Sequence, residues 1–467
     1  MTPTPTAPSD RPSSGFAYSR DRFRELVDSC LATAKSLGAS DAVAEVSEGV
    51  GLSVSVRKGE TENIERNRDK SISVTVYVGQ RRGNASTSDF SSAAIEQTVR
   101  AAHDIARFTA EDPAAGLPDE ADLADAATSA RSLDLFHPWA IDAAGAIDLA
   151  TRCEAAALSV DARITNSEGA GVSAQQSHFY AGNTRGFGAG YASSRHAISV
   201  APIASLPGRG GDDMQRDAWY SSMRSPDDLA APEAVGRYAA ERALSRLAAR
   251  KIKTCEVPVL YESSLASGLL GAFVHATSGG ALYRKSTFLL DSLGQRVLPE
   301  HIDIREDPHA LRGKGSAPFD DEGVTTRPAQ IVDAGVVGSY FLSTYSARKL
   351  GMRTTGHAGG SHNLALTSRL TRPGDDLEAM LAKLGCGLFV IELMGQGVNY
   401  VTGDYSRGAA GFWVENGRIA YPVHEITIAG NLREMFRQIV AVGADDYTTG
   451  NKTIGSVLVE RMKIAGD

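Results

Sequence analysis

The sequence has few cysteines and no long apolar run, and each shortage excludes a class of protein. The four cysteines, Cys30, Cys153, Cys255 and Cys386, stand far apart without a C-x-x-C pair. This spacing fits neither a zinc ribbon nor a disulfide framework, so we expect small buried apolar residues. No apolar stretch approaches the roughly 20 residues of a membrane-spanning helix. Because the first residues also lack the apolar core of a secretory signal, we expect a soluble cytoplasmic protein without a membrane partner.

An excess of positive charge is missing as well. The chain has 48 Lys and Arg against 56 Asp and Glu, which gives a net charge of −8. Binding to phosphate backbones needs clustered Lys and Arg, so we expect no nucleic-acid partner. The glycine clusters have neither the P-loop nor the G-x-G-x-x-G spacing, which argues against nucleotide binding. No G-x-S-x-G motif is present to support serine hydrolase chemistry.

Composition and hydrophobic period divide the 467 residues into a tail and two domains. Residues 1–16 are rich in Thr, Pro and Ser, which predicts a disordered tail. Residues 17–250 alternate helical stripes with period-two runs, which predicts an N-terminal α/β domain of helices with antiparallel strand meanders. Residues 251–467 predict a mainly antiparallel β-sheet or barrel domain with a few helices. The predicted fold class is therefore α+β.

Two local signals refine this division. The pattern Ser-Glu-Gly-x-Gly begins at Ser47 and again at Ser167, each time after a predicted helix. It suggests a degenerate repeat of residues 17–110 and 120–250. The dipeptide Asn416-Gly417 stands between two alternating apolar runs and predicts a tight β-hairpin, because both residues accept a positive φ.

Ten histidines make a metal site the main chemical alternative. A zinc hydrolase site needs imidazoles on one rigid element and a carboxylate that accepts a proton from bound water. A predicted buried helix carries His275, but Ala276 stands at the general-base position, and Gly279 and Gly280 stand at the positions for a second ligand. That helix alone therefore predicts no zinc site.

Two groups of loop histidines are candidates for a metal site. In one interpretation, a metal is bound where two sets of residues converge: His301 with Glu306 and His309, and His357 with His362. In the other they form polar loops, because loop histidines usually hydrogen-bond to backbone or water. Sequence spacing does not decide between the two.

Two further polar groups also have a functional and a structural interpretation. One group follows the predicted buried helix and consists of Tyr283, Arg284 and Lys285. In the functional interpretation these residues bind a carboxylate or a peptide end. In the structural interpretation they complement the helix dipole and stay solvated. Asp404 and Arg407 bind a ligand or form an ion pair that stabilises a turn.

Several long motifs occur in order and carry a resemblance to one family. They are GDDMQRDAWYSS from Gly211, SGGALYRKSTFLLDSLGQ from Ser278, EDPH from Glu306, RGKGSAPFDDEGV from Arg312, YSARKLGMRTTGHAGGSHN from Tyr345 and TGDYSRGAAGFWVENGRIAYPVHEITIAGNL from Thr402. With these motifs the chain resembles the TldD/PmbA family, peptidase family U62, and more narrowly its PmbA branch, also called TldE.

The resemblance implies a subunit of a cytosolic bacterial zinc metalloprotease that cleaves small or unfolded peptides, in peptide maturation and antitoxin degradation. In this family the TldD branch carries H-E-x-x-x-H on the buried helix and a Cys ligand near the C-terminus. This chain has VHATSGG on that helix and no Cys in its closing segment. The resemblance therefore implies a non-catalytic partner with no catalytic residue, metal ligand or cofactor of its own, and zinc in a TldD-like subunit.

The resemblance also defines what we expect at the surface. The partners are a TldD-like subunit in a heterodimer and an unfolded or small peptide. For the isolated chain both a monomer and a homodimer stay open, since a large apolar partner surface left uncovered tends to pair with itself. The residues expected to contact the peptide or the interface are Tyr283, Arg284, Lys285, His357, His362, Asp404 and Arg407. Two alternatives stay open: a self-sufficient metallopeptidase with a non-standard site, and a peptide-binding scaffold without a role in proteolysis.

Overall fold

A computed structural model of the chain describes residues 15–207 and 213–466. Residues 1–14, most of the predicted tail, lie outside the described residues. The packed structure begins at Phe16, which is buried with its ring 4.1 Å from the ring of His178 and 5.6 Å from that of Phe136. The last residue of the predicted tail is thus part of the folded chain.

Helices lie in both halves of the described chain. Their bounds are α1 (Arg20–Ser36), α2 (Ser92–Phe108), α3 (Ala126–Ser129), α4 (Ala143–Leu158), α5 (Pro232–Ser245), α6 (Ser263–Ala276), α7 (Gly279–Tyr283), α8 (Thr344–Leu350), α9 (Leu377–Leu384) and α10 (Leu432–Arg437). The side chains of Ser19, Ser91 and Asp142 cap α1, α2 and α4 by accepting backbone hydrogen bonds. Among these helices, none is both long and apolar enough to cross a membrane.

The strands form one sheet in the N-terminal half and two in the C-terminal half. The N-terminal strands are β1 (Asp41–Arg57), β2 (Glu60–Val78), β3 (Arg81–Thr87), β4 (Ile164–Asn183), β5 (Gly188–Ala189), β6 (Ala192–Leu206), β7 (Asp213–Arg216) and β8 (Trp219–Met223). The C-terminal strands are β9 (Cys255–Tyr261), β10 (Ile302–Asp307), β11 (Ala329–Asp333), β12 (Val336–Val337), β13 (Asn363–Ser368), β14 (Gly387–Met394), β15 (Asp404–Glu415), β16 (Arg418–Asn431), β17 (Ile439–Val442), β18 (Tyr447–Thr449), β19 (Lys452–Ile454) and β20 (Val457–Ala465).

The N-terminal sheet is antiparallel, with strand order β3-β2-β1-β4-β6-β7. Its period-two pattern separates the two faces. Ala44 and Val46 of β1 are buried against α1 and α2, and Val54 of the same strand lies in the core formed with α4 and α5. The helices thus cover one face, while Glu45 and the other odd-numbered residues of β1 face the opposite side. The predicted meander is confirmed, with strands longer than the motifs indicated.

The C-terminal half contains a closed barrel. Strands β16, β15, β14, β9 and β20 pair in that order, and β16 pairs with β20 to close the ring. Asn416 and Gly417 have φ of 52° and 74° in the tight β15–β16 turn, as the dipeptide predicts. Helix α6 packs Leu269 and Phe273 into the largest apolar core. The α+β class predicted from sequence is confirmed.

Partly buried charges join the two halves at the start of α6. Arg242 of α5 forms ion pairs with Glu262, at 2.5 Å, and with Asp217, at 3.2 Å. Arg246, one turn later, binds Asp217 and Glu392. Glu262 immediately precedes α6, so these ion pairs fix the beginning of that helix against the N-terminal half.

The cysteines follow the expectation only in part. Burial of Cys30 and Cys153 under the N-terminal sheet raises the pKa of their thiols to about 11 and about 12. Cys386 is exposed, so the expectation of a buried residue is wrong there. It immediately precedes β14, which pairs with β9 and β15 in the barrel.

Candidate functional site

The seven residues predicted to contact peptide or partner do not form one site. The structure distributes them between an exposed region near the C-terminal end of α6 and a buried loop that precedes β13. The exposed or half-buried residues are Tyr283, Arg284, Lys285, Asp404 and Arg407, and the buried residues are His357 and His362.

An exposed aromatic and cationic surface lies at the end of α6. The ring of His275 packs on the ring of Tyr400 with centroids 3.9 Å apart, and the guanidinium of Arg284 lies 5.1 Å from the centroid of the Tyr283 ring. Partial burial and the nearby Arg284 cation lower the pKa of His275. Arg284 and Tyr283 thus lie together, as their neighbouring positions in the sequence indicate.

Two exposed apolar side chains extend this surface. The backbone N–H of Phe288 donates to Tyr400 O at 2.8 Å, which brings the segment of Leu290 beside that of Val401. Leu290 is 41% exposed and Val401 57% exposed. We call this surface the α6 face; its residues are His275, Tyr283, Arg284, Leu290, Tyr400 and Val401. Aromatic residues and Arg are enriched in protein interfaces.

Asp404 and Arg407 support the α6 face but do not pair with each other. The Asp404 carboxylate accepts hydrogen bonds from Thr402 and Asn431, which lower its pKa and hold the loop that carries Tyr400. The Arg407 guanidinium lies 3.5 Å from the carbonyl oxygens of residues 393 and 394. The predicted Asp404–Arg407 ion pair is therefore wrong. Lys285 is exposed and has a φ of 53° just after α7.

His357 and His362 meet at a buried carboxylate. His357 Nε2 donates to Glu306 Oε2 at 2.6 Å, and the backbone N–H of His362 donates to Glu306 Oε1 at 2.5 Å. The two loop histidines thus meet Glu306 of β10 through hydrogen bonds within the protein, which is the arrangement of the polar-loop interpretation and not a convergence on a metal. His301 does not join them, because its ring bonds to Ser368 and to the carbonyl of Ile439.

The histidine loop positions two neighbouring aspartates. The backbone N–H of Ala358 donates to Asp320 Oδ2 at 2.9 Å, and Ala358 O accepts from the backbone N–H of Asp321 at 3.1 Å. Gly359 has a φ of +96°, and a Cβ on it would lie 2.4 Å from Asp321 Oδ2. A glycine is therefore needed at position 359 to leave room for the Asp321 carboxyl.

Asp321 lies in a cleft beneath the uncovered face of the N-terminal sheet. The cleft has two connected hollows of about 800 and about 450 Å³, and Glu45 and Asp321 line both. The larger hollow extends to Asp112, which accepts from Tyr345 Oη and from Lys349 Nζ, each at 2.7 Å. We call the two hollows together the acidic cleft.

Aromatic rings form the floor of the smaller hollow. Phe179 and Tyr191 have ring centroids 4.8 Å apart, and Phe187 and Phe319 have ring centroids 5.0 Å apart. Tyr191 lies close enough to Glu45 and Asp321 for their charges to raise its pKa, although burial contributes most to its value of about 12. The hollow therefore combines aromatic faces with carboxyls, the two groups that bind organic cations.

Glu45 and Asp321 differ from the other carboxyls of the cleft. Within the part of the chain that the structure describes, neither side chain has a hydrogen bond or ion pair, although both are water-accessible. Desolvation by the surrounding protein raises the pKa of both carboxyls, and repulsion by Asp321 raises the pKa of Glu45 further. Sequence analysis missed both residues. The available signals were Asp321 in the DDEG motif and Glu45 on the polar side of β1.

The α6 face and the acidic cleft are continuous. The Tyr283 ring lies edge-on to the Tyr345 ring with centroids 5.7 Å apart, and Tyr345 binds Asp112 at the rim of the cleft. The rim of the larger hollow therefore adjoins the α6 face at Tyr283.

Three family profiles match the chain in order. They are PmbA/TldA metallopeptidase domain 1 over residues 42–106, the central domain over 136–247 and the C-terminal domain over 254–466. The chain belongs to the PmbA/TldD metallopeptidase family and, within it, to the PmbA (TldE) branch.

Individual relatives agree with this membership. Metalloprotease PmbA of Escherichia coli O157:H7 is 50% identical over 95% of this chain and 97% of its own. A crystal structure of a Bacteroides thetaiotaomicron protein proposed to modulate DNA gyrase superposes with a TM-score of 0.88, at 26% identity, over 96% of this chain and 99% of its own. TldE of Thermococcus kodakarensis, at 18% identity and a TM-score of 0.80 over 94% of this chain and 100% of its own, shares the fold.

The family name implies a metal, and the side chains described do not fit one. Within residues 15–207 and 213–466, no group of three or more His, Cys, Asp and Glu residues is arranged to hold a metal ion. At the end of α6, His275 is followed by residues without donor side chains at positions 276, 279 and 280. Both ring nitrogens of His357 and of His362 already contact protein oxygen atoms.

The unpaired carboxyls predict a pH-dependent gain of stability when they are neutralised. A carboxyl whose pKa is raised on folding destabilises the fold once ionised, and this cost disappears as pH falls through the folded-state pKa. We therefore expect the double substitution Glu45→Gln and Asp321→Asn to raise the thermal midpoint at pH 8 by about 2 °C. The gain should shrink toward pH 4.

The measurement is thermal unfolding of both proteins at pH 8, 6 and 4. The matched control is Glu65→Gln with Asp69→Asn, which removes two carboxyls of the same sheet that do not line the acidic cleft. A gain that does not change with pH, or one that the control reproduces, would show that Glu45 and Asp321 carry no repulsive cost in the cleft.

Proposed function

We propose that this chain is the zinc-free subunit of a two-subunit TldD/TldE-type metalloprotease that cleaves small or unfolded peptides. The observation that carries this proposal is the end of α6. In a chain from a metallopeptidase family it presents His275 alone, with Ala276, Gly279 and Gly280 where a zinc helix needs a base and a second ligand. A TldD-like partner with H-E-x-x-x-H on its own helix would supply the zinc.

The α6 face is the surface we propose for this partner. It combines aromatic rings, an exposed Arg and two exposed apolar side chains, and such residues dominate the centres of stable interfaces. Pairing at this face would bring the partner's metal close to the mouth of the acidic cleft. Hydrolysis would then occur between the two subunits, on a peptide held partly by this chain.

The acidic cleft is the part of this chain that we propose to hold the peptide. It is open along the sheet, so an extended backbone fits it better than a folded domain does. Because the cleft lies on a face of the sheet, its side chains rather than free backbone groups would contact the peptide, which must be short or unfolded to enter. Precursors of ribosomally made peptides and antitoxins are the substrates we propose. The unpaired Glu45 and Asp321 favour peptides with Lys or Arg.

Two other functions make different predictions. A self-sufficient metallopeptidase cleaves peptides without any partner. A peptide-binding scaffold binds a partner but leaves the rate of cleavage unchanged. Both outcomes are accessible in one reconstitution experiment.

We expect unfolded casein and short peptides to be cleaved only when this chain is mixed with the TldD-like protein of the same genome. Arg284→Glu should weaken formation of the pair about thirtyfold, because it reverses the charge at the centre of the α6 face; a central interface Arg typically contributes about 2 kcal/mol. Cleavage is followed by mass spectrometry, and affinity by titration of one subunit with the other.

The matched control is Arg24→Glu, which reverses an exposed charge on α1 in the N-terminal half. It should leave both affinity and cleavage at the wild-type level. Cleavage by this chain alone, or an unchanged rate in the mixture, would favour one of the two other functions. Equal effects of the two substitutions would remove the α6 face from the interface.

The acidic cleft predicts a preference for cationic side chains. In the mixture, the arginine peptide acetyl-AARAA-amide should have a KM about tenfold lower than the same peptide with citrulline, because a charge-assisted hydrogen bond contributes about 1.5 kcal/mol. Gly359→Ala should abolish this preference by displacing Asp321. Gly360→Ala is the matched control, since it also has a positive φ, of +115°, but no atom within 4 Å of the new Cβ.

A preference that survives Gly359→Ala, or that both glycine substitutions abolish equally, would contradict a role for Asp321 in peptide binding. Because both peptides are measured in the same mixture, this result does not depend on the absolute rate of cleavage.

A further inference from the structure

A second charged region lies on the uncovered face of the N-terminal sheet, beyond the acidic cleft. It consists of three half-buried cations: Arg195 on β6, Arg224 just after β8, and Lys314 in the loop between β10 and β11. Arg224 joins the three, because its guanidinium donates to the carbonyl oxygens of Ser194, Gly313 and Lys314 at 3.2, 3.1 and 3.0 Å. We call these three cations the basic cluster.

No acid balances the basic cluster among residues 15–207 and 213–466. The side chains of Arg195 and Lys314 have neither a hydrogen bond nor an ion pair in that part of the chain, and Arg224 donates only to backbone carbonyls. Burial lowers the pKa of all three groups, and repulsion by Arg195 lowers the pKa of Arg224 and Lys314 further. Half-buried cations without a partner cost folding free energy, and a bound anion would remove that cost.

The strand register places Arg195 next to the acidic cleft. Ser177 of β4 lines the smaller hollow, and its hydroxyl lies 3.5 Å from the hydroxyl of Ser193 on β6. Arg195 follows two residues later on β6, opposite Gln175 of β4. Side chains two residues apart on a strand share a face and are separated by about 7 Å. Arg195 is therefore the next side chain of β6 on the same face as the smaller hollow.

Tyr191 lies between the two charged regions. Burial raises its pKa to about 12, the Arg224 cation lowers the pKa, and the carboxyls of Asp321 and Glu45 raise it. The phenol is thus close enough to both regions to be affected by the charges of each. Its ring belongs to the aromatic floor of the smaller hollow, which therefore separates the acids from the basic cluster.

One loop carries both kinds of charge. The motif RGKGSAPFDDEGV places Lys314 in the basic cluster and Asp321 in the acidic cleft, with Phe319 of the aromatic floor between them. The order of charges on this face is therefore set by a continuous stretch of sequence as well as by the sheet.

We propose that the basic cluster binds a carboxylate of the peptide that lies in the acidic cleft, with Arg195 and Lys314 donating to its oxygens. The carboxylate is an Asp or Glu side chain or the C-terminus of the peptide. Guanidinium and ammonium groups both form charge-assisted hydrogen bonds with such a group. The inference rests on the proposed function in one respect, since that function places a peptide in the cleft.

The sheet also sets the spacing of the two charges on the peptide. Glu45 is opposite Ala181 of β4, and Arg195 is opposite Gln175, six positions earlier on the same strand. An extended chain rises about 3.4 Å per residue, so a base bound at Glu45 and an acid bound at Arg195 are about five residues apart. The larger hollow adjoins the α6 face, so the acid belongs to the part of the peptide farther from α6.

The test is isothermal titration calorimetry of the full chain alone, without any TldD-like subunit. The acidic peptide acetyl-ARAAAAEA-amide should bind about tenfold more tightly than the neutral peptide acetyl-ARAAAAQA-amide, because a charge-assisted hydrogen bond forms only with glutamate. A third peptide, acetyl-ARAAAAQ, is measured with a free C-terminus and as its amide. The larger of the two gains identifies the side chain or the C-terminus as the source of the carboxylate.

Arg195→Gln and Lys314→Gln should each reduce the preference for the acidic peptide to about twofold and leave the affinity for the neutral peptide unchanged. Arg195→Gln should not lower the thermal midpoint, since it removes an unpaired charge. The matched control is Arg66→Gln, which removes an exposed cation on β2 of the same sheet and should preserve the preference. A purely structural role would change the affinity for both peptides together.

Absence of peptide binding would overturn the proposal, as would equal affinities for peptides with and without a carboxylate. A preference that survives both substitutions, or that Arg66→Gln removes equally, would also overturn it. If Arg195→Gln weakens binding of the TldD-like protein and leaves the peptide preference intact, the basic cluster belongs to that interface instead. None of these titrations depends on cleavage, so peptide binding with this preference but no cleavage in the mixture would contradict the proposed function alone.

Discussion

The acidic cleft depends on one buried carboxylate, Glu306. Its two oxygens accept hydrogen bonds from the ring of His357 and the backbone of His362, and the side chain is fully shielded from water. A buried carboxylate is stable only when such donors are present. These bonds fix the loop between α8 and β13 on strand β10. The loop in turn holds Asp320 and Asp321 through Ala358. The buried carboxylate of Glu306 therefore determines the position of the water-accessible Asp321 carboxyl.

Most of the architecture could be predicted from local signals. The alternation of β1 and β2 indicated the meander, and Asn416-Gly417 identified the hairpin, because each signal acts within a few residues along the chain. Closure of the barrel by β16 and β20 is a different case. It joins strands that are not consecutive, and no local pattern specifies that pairing.

The candidate site was less predictable for the same reason. The end of α6 could be found because the missing donors at positions 276, 279 and 280 are neighbours of His275 in sequence. Glu45 and Asp321 come from strands and loops nearly 280 positions apart, and their significance lies in the lack of an ionic partner, which only the fold reveals. The Asp404–Arg407 ion pair does not form, because each side chain has another partner. Asp404 accepts from Asn431, and Arg407 donates to backbone carbonyls.

In residues 15–207 and 213–466 no group of side chains is arranged to hold a metal ion, an exposed aromatic surface lies at the end of α6, and a cleft with unpaired carboxyls adjoins it. The central proposal is that the metal belongs to another subunit. The most direct test is the zinc content, by mass spectrometry, of this chain purified alone and of its complex with the TldD-like protein, both after the same dialysis. The account predicts one zinc per complex and no stoichiometric zinc in the lone chain. One zinc bound to the lone chain would contradict it.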